Sequence, residues 1–217
     1  MRILRGIAAI VLLTAAAWAQ KNDWLIVPGQ RVGPITASTT RAQLDALFGK
    51  ENVRDGSYAG GEIPEAATVV FGSEPGSALA VTWDRERPAA IHLCVDSQTG
   101  PCRWRTASGI RIGLPVRELE KLNGKSFQVG GFGQDRGQVV SWRKGALEED
   151  PTTCGHLVVR LTPLVLAEGG TLSKDETSNL KILQSDKTFS SSYVVSLGLQ
   201  PIVSGLTMEF TGPNCGK

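Results

Sequence analysis

The sequence predicts an α+β fold: an antiparallel sheet of about seven or eight strands from two related halves, with two short helices packed on one face. Three observations lead there. Arg31-Val32-Gly33, followed by Leu44-Asp45-Ala46-Leu47-Phe48-Gly49-Lys50, is echoed by Arg111-Ile112-Gly113 and Leu119-Glu120-Lys121-Leu122-Asn123-Gly124-Lys125. The echo continues in the same order, Val81-Thr82-Trp83 with Val140-Ser141-Trp142 and His92-Leu93-Cys94-Val95 with His156-Leu157-Val158-Val159. Ordered self-similarity of this kind marks an internal repeat. Between the echoes lie short β-rich runs joined by tight turns, which favours antiparallel pairing. The expected organisation is a leader, 1–19, then a single domain, 20–217. That domain holds two repeats, about 24–106 and 107–161, and an unmatched extension, 162–217.

In chain order, Asp23 to Val27 reads as a first strand closed by Pro28-Gly29. Thr40 and Gln43 form a capping box for a helix over Arg41 to Phe48. Leu44, Leu47 and Phe48 share its apolar face, and Gly49 can take the left-handed conformation that ends it. Isolated helices below ~12 residues are marginal in water, so this one must lie on a sheet. Gly56 to Glu65 is Gly-rich and polar and reads as a loop. Ala67 to Phe71, Ala78 to Trp83 and Ala89 to Val95 read as strands, separated by turns at Glu74-Pro75-Gly76 and Asp84 to Pro88. Cys102 to Thr106 is a candidate fourth strand.

The second copy opens at Ile110. Pro115 suits the first helical position, Val116, Leu119 and Leu122 the apolar face, and Gly124 the stop. Phe127 to Gly130 and Gly137 to Arg143 read as a hairpin around Gly131 to Arg136, Glu148 to Thr153 as a polar loop, and His156 to Leu161 as a strand. In the extension, Gly169 to Ser192 reads as a long loop with one helical turn near Leu180. Tyr193 to Leu199 fits helix or strand, and Leu206 to Thr211 is a last strand.

The N-terminus has Arg2 and Arg5, an apolar stretch from Ile7 to Ala17, and the A-x-A site Ala17-Trp18-Ala19, the pattern of a secretory signal peptide. The apolar run is shorter than the ~20 residues a membrane-spanning helix needs. A signal anchor is the alternative. The mature chain is therefore expected to be exported, periplasmic or extracellular, without a transmembrane segment. No cysteine precedes Cys94, so no thiol is available for lipid attachment at the cleavage point. Removing Arg2 and Arg5 leaves 21 basic residues against 21 acidic ones. A balanced charge removes the electrostatic case for nucleic acid or an anionic membrane as partner.

Alternation along the strands sorts side chains into faces. Leu79, Val81 and Trp83 share one face, as do Val140 and Trp142, so the matched tryptophans belong on the helix side as core, or as a carbohydrate-stacking platform. His92, His156, Arg160, Thr82 and Ser141 fall on the other face, which an antiparallel sheet can leave in water. These five are the candidate binding residues.

Catalytic signatures are sparse. His92-x-Cys94 and Cys154-x-His156 could present four zinc ligands, but an oxidising compartment competes for the thiols, and no metal or cofactor is expected. There is no G-x-S-x-G elbow, and Gly130 to Gly137 lacks the Lys-Ser/Thr of a P-loop. Glu148, Glu149 and Asp150 sit in a polar loop and read as a solvated run. No catalytic set emerges, although His92 or His156 could serve a small secreted hydrolase.

Thr40-Arg41-Ala42-Gln43-Leu44, then Leu47-Phe48-Gly49, following Gly33, resembles the helical signature of the BamE (SmpA/OmlA) envelope lipoproteins. The tandem copies resemble the duplicated helix-plus-sheet units of the β-lactamase inhibitory proteins. This resemblance implies helices on one face of an antiparallel sheet, a free face for a protein partner, and no catalysis. The expectation is an exported non-enzymatic binding protein, an inhibitor or envelope accessory factor, with an unidentified protein partner.

Four cysteines in an exported chain imply two disulfides, and four allow three connectivities. Cys94 and Cys102 flank the turn formers Asp96, Gly100 and Pro101, so a bridge there would staple a hairpin. Cys154 precedes one expected strand and Cys215 follows another. If those strands pair antiparallel, the start of one meets the end of the other. The expected pairing is Cys94 with Cys102 and Cys154 with Cys215.

Overall fold

Runs of six to nine residues, apolar on at least one face in all but one of them, build the principal sheet, and shorter runs build two smaller ones. The computed structural model describes residues 22–60, 63–74, 76–95, 101–133, 137–212 and 215. The expected leader, 1–19, and the turn residues Pro75, Asp96, Gly100 and Gln134 to Arg136 lie outside the described residues.

The chain begins with β1 (Leu25–Val27), β2 (Arg31–Val32) and β3 (Ile35–Thr36), then α1 (Arg41–Phe48) and a 3-10 turn at Lys50–Asn52. A four-strand meander follows: β4 (Val53–Tyr58), β5 (Glu65–Val70), β6 (Leu79–Asp84) and β7 (Arg87–Leu93). Next come β8 (Arg105–Thr106), α2 (Val116–Asn123), β9 (Gln128–Gly130), β10 (Val139–Ser141) and β11 (His156–Pro163). The extension supplies α3 (Leu164–Ala167), α4 (Lys174–Leu183), β12 (Thr188–Ser190), α5 (Ser191–Ser196) and β13 (Pro201–Glu209).

The architecture is α+β. The principal sheet has six strands in the order β11-β13-β7-β6-β5-β4, every neighbour antiparallel. The remaining strands form a four-stranded sheet, β3-β2-β1-β8, and a three-stranded sheet, β10-β9-β12. The strands expected in one sheet are thus shared among three. β13 sits between β11 and β7, so the unmatched extension supplies a central strand that joins the two histidine strands. No helix among the described residues is long and apolar enough to cross a membrane.

Leu79, Val81, Ile91, Leu93, Leu206 and Met208 project from the principal sheet into one cluster with Leu44 and Phe48 of α1 and Val116 and Leu119 of α2. Each such side chain contributes about 1.5–3 kcal/mol by leaving water. Both helices follow their sequence signals. The Thr40 amide donates to Gln43 Oε1 at 2.8 Å at the start of α1. Gly124 ends α2 in the left-handed region at φ 75°. Gly49 also has positive φ, but at ψ 133° it leaves the left-handed helical region and leads the chain into the 3-10 turn. Pro115 is the residue before α2 and not its first, with extended backbone at ψ 144°.

Three expectations are corrected and one open reading is resolved. Gly56 to Tyr58 belong to β4, an edge strand, and Glu65 opens β5, so the expected loop is shorter at both ends. In β4, Arg54, Asp55, Gly56 and Ser57 are all exposed, so apolar alternation was absent from the sequence. Cys102 to Thr106 contributes β8, which pairs in parallel with β1 and so leaves the β5–β7 meander. The Gly169 to Ser192 segment is more ordered than a loop with one helical turn near Leu180: that turn is part of α4, and β12 and the start of α5 follow it. A capping box opens α4: Ser173 N–H donates to Glu176 Oε2 at 2.8 Å, and Glu176 N–H to Ser173 Oγ at 3.3 Å. Apolar positions are few on α4, with Leu183 buried and Ile182 exposed, which hid it. Tyr193 to Leu199 resolves as helix through Ser196.

Both disulfides pair as expected, Cys94 with Cys102 and Cys154 with Cys215. The antiparallel partnership of β11 and β13 brings His156 opposite Glu209, which places Cys154 and Cys215 at one end of the pair. The Cys94–Cys102 bridge does not staple a hairpin. It ties the end of β7 in the principal sheet to the segment leading into β8 in the four-stranded sheet.

Candidate functional site

The helix-free face of the principal sheet is set by register. Directly opposed residues share a face, so Val69, Ala80, His92, Thr207 and Val158 form one row across five strands. Ala67, Thr82, Ala90, Glu209 and His156 form the next. Three of the six residues in the β5–β7 part of these rows are alanines. Over these short side chains the sheet curls, and Tyr58 on edge strand β4 stacks on His92 three strands away, ring centroids 3.6 Å apart at 14°.

Under this stack lies a cleft of about 240 Å³ containing Tyr58, His92, Arg160, Thr162, Ser204 and Thr207. Thr207 Oγ1 lies 3.2 Å from His92 Nδ1 and accepts from Arg160 Nη1 at 3.3 Å. Thr207 is buried, and among the described residues His92 Nδ1 is the acceptor its hydroxyl proton has in reach. A buried donor left unpaired costs about 1–3 kcal/mol. That cost assigns the bare nitrogen to Nδ1 and the ring proton to Nε2. Burial first, and the nearby Arg160 charge second, push the His92 pKa down to about 4, so the ring is neutral at neutral pH. Thr162 and Ser204 share a hydroxyl hydrogen bond of 2.8 Å beside it.

A second cleft, about 310 Å³, holds Ser141, Glu149 and His156 at the β10–β11 edge. His156 is exposed and its Nε2 lies 3.3 Å from Glu209 Oε2. Ser141 Oγ accepts from the Arg143 amide at 3.1 Å. The serine and the imidazole thus have separate partners. Glu149 accepts the Leu157 amide through both oxygens, at 3.1 and 3.0 Å. Desolvation nevertheless outweighs those bonds and, with repulsion from Glu148, raises its pKa to about 7.

The folded state therefore holds the Glu149 proton more tightly than the unfolded chain. The associated stability is present below pH 4.5 and is lost as pH rises through 7. Glu149→Gln should remove that loss and leave the protein about 1–2 kcal/mol more stable than wild type at pH 8, after discounting for solvent screening. Urea unfolding at pH 4.5 and pH 8 measures it; an unchanged wild-type slope in the variant would show that Glu149 titrates normally.

The five candidate residues do not converge on one site. His92 and Arg160 share the first cleft, His156 and Ser141 the second, and Thr82 is 7% exposed and lines neither. Ser141 belongs to the three-stranded sheet and not to the principal one. Sequence reasoning missed Tyr58 and Thr207, and it read Glu149 as solvated although burial raises its pKa. Tyr58 fell inside the segment read as a loop. Thr207 alternates with Leu206 and Met208, a signal available in the last strand. The four sulfurs are consumed by disulfides, and no group of three metal-ligating side chains converges among the described residues. No protein-family model, no curated protein and no solved structure matches this chain.

Proposed function

We propose that the chain is an exported, non-enzymatic binding protein, an inhibitor or envelope accessory factor, that holds a protein partner on the curled face of its principal sheet. The observation that carries the reading is the Arg160, Thr207 and His92 arrangement. It offers a guanidinium and a neutral imidazole in a cleft where the hydroxyl bonded to the histidine belongs to a buried threonine. A nucleophile must be reachable by substrate, and Thr207 is only 2% exposed. Export is supported by the leader-like N-terminus and by two disulfides, which persist in oxidising compartments. The internal echoes, and the resemblance to BamE-like and β-lactamase inhibitory protein-like units, favour a scaffold for protein binding.

The rival is a small hydrolase, favoured by the cleft that gathers Ser141, His156 and Glu149. Two measurements separate the readings. Immobilised wild-type protein should capture a partner from its source's envelope fraction, and Arg160→Glu should lose it while Lys181→Glu, on exposed α4, keeps it. His92→Ala and His156→Ala should leave a hydrolase substrate panel unchanged. Turnover by the wild type that either alanine abolishes would sink the binding reading.

A further inference from the structure

We infer that the cleft at Arg160 is a site for an oxyanion, a carboxylate or phosphoryl group carried by the bound partner or ligand. The inference rests on the binding reading above and names the chemistry of its central contact.

The chain usually pairs its partly buried arginines with acids. Arg31 meets Asp23 at 2.9 Å, and Arg41 meets Asp45 at 3.0 Å and Asp55 at 3.3 Å. Arg160 is half-buried, yet no carboxylate among the described residues lies within ion-pair distance of it, and none lines its cleft. A partly desolvated charge without a counterion is costly, and an incoming anion removes that cost. Of the five N–H donors of a guanidinium, one is used by Thr207, so donors remain for the paired oxygens of a carboxylate or phosphate. Gly205 stands directly opposite Arg160 across the β11–β13 pair and has no side chain to cover its stem.

The neighbours add donors and no negative charge. The tautomer assigned to His92 puts a donor on Nε2, and the Thr162 and Ser204 hydroxyls, bonded to each other and from Ser204 at 3.5 Å to the Arg160 carbonyl, can exchange those bonds for an anion. Thr207 holds the guanidinium and the ring in fixed relation. Burial is the main cause of the low His92 pKa and the Arg160 charge the second; an anion at Arg160 cancels that second part, so binding and His92 protonation are linked.

NMR of the full disulfide-bonded protein tests this, with inorganic phosphate, acetate and a short peptide carboxylate as separate probes. The expected result is a saturable shift of the His92 ring signals with at least one probe, together with an upward move of the His92 pKa from about 4. Phosphate alone acting assigns a phosphoryl ligand; carboxylates alone acting assign a carboxylate. Arg160→Gln should weaken binding about tenfold or more. Arg160→Lys, which keeps charge and stem but loses the fork, is the second variant should the first not fold, and should weaken binding roughly threefold to tenfold. No saturable shift with any probe, or wild-type affinity in the folded variant, overturns the inference. That failure is distinct from failure of the binding reading, which shows itself as histidine-dependent turnover.

Discussion

Replacing Cys154 and Cys215 with alanine should cost about 4 kcal/mol of stability, most of what a marginal domain possesses. The bridge closes a loop with a sequence separation of 61. In the chain-entropy model such a cross-link restricts the unfolded state far more than the Cys94–Cys102 bridge, whose separation of 8 corresponds to about 2.5 kcal/mol. Position adds to the effect. β13 lies between β11 and β7 in the principal sheet, and the bridge clamps the end where His156 faces Glu209. Freeing that end loosens the strand that joins edge strand β11 to the β4–β7 meander. Urea unfolding of the double alanine variant against wild type measures the cost as a lower midpoint, with a steeper slope because the unlinked unfolded chain exposes more surface. A loss below about 1 kcal/mol would mean that strand pairing alone already restrains the tail.

Acidification from pH 6.5 through 4 should remove about 3 kcal/mol of stability that His92 secures at neutral pH. The sign follows from which state binds the proton. Folding lowers the His92 pKa from 6.5 to about 4, chiefly by burial and secondly through Arg160. The unfolded chain takes up its proton first as pH falls, so stability is complete above 6.5 and lost by 4. Glu149 runs the other way, its contribution present below 4.5 and lost as pH rises through 7. Between pH 4.5 and 6.5 the two slopes oppose each other, each at most about 1.4 kcal/mol per pH unit. Wild type should therefore look nearly insensitive in that window. His92→Gln, which keeps an acceptor for Thr207, should gain stability on acidification, and Glu149→Gln should lose it steeply. Unfolding curves at half-unit pH steps check both, and parallel curves for wild type and His92→Gln would show that His92 titrates alike in both states.

Helices α1 and α2 were legible because their signals are local. A capping box at Thr40 and Gln43 and a left-handed glycine at 124 act within one or two turns, and the observed bounds of α1 and α2 follow them. Strands β5, β6 and β7 announced themselves through alternation, since one face of each enters the core. The Cys154–Cys215 pairing was legible because it needed only strand ends to meet, whereas Cys94–Cys102 was expected across a hairpin and instead ties two sheets together. β4 was illegible for the converse reason: an edge strand with solvent around most of its side chains needs no apolar period. Helix α4 had its capping box in plain view at Ser173 and Glu176, outweighed by polar composition.

The site was decided by contacts between segments far apart in sequence. Alternation assigned His92, His156, Arg160 and Thr82 to one face, and the register agrees, but a face is wider than a cleft. Insertion of β13 between β7 and β11 set Thr207 between His92 and Arg160, residues 115 and 47 positions away from it. Curling of the sheet brought Tyr58 over His92, and departure of β10 into another sheet took Ser141 elsewhere. Side-chain period says which way a residue points along its own strand. Which strand lies beside it, in what register and with how much curl, is settled by the packing of the whole core, and that information has no local period to read.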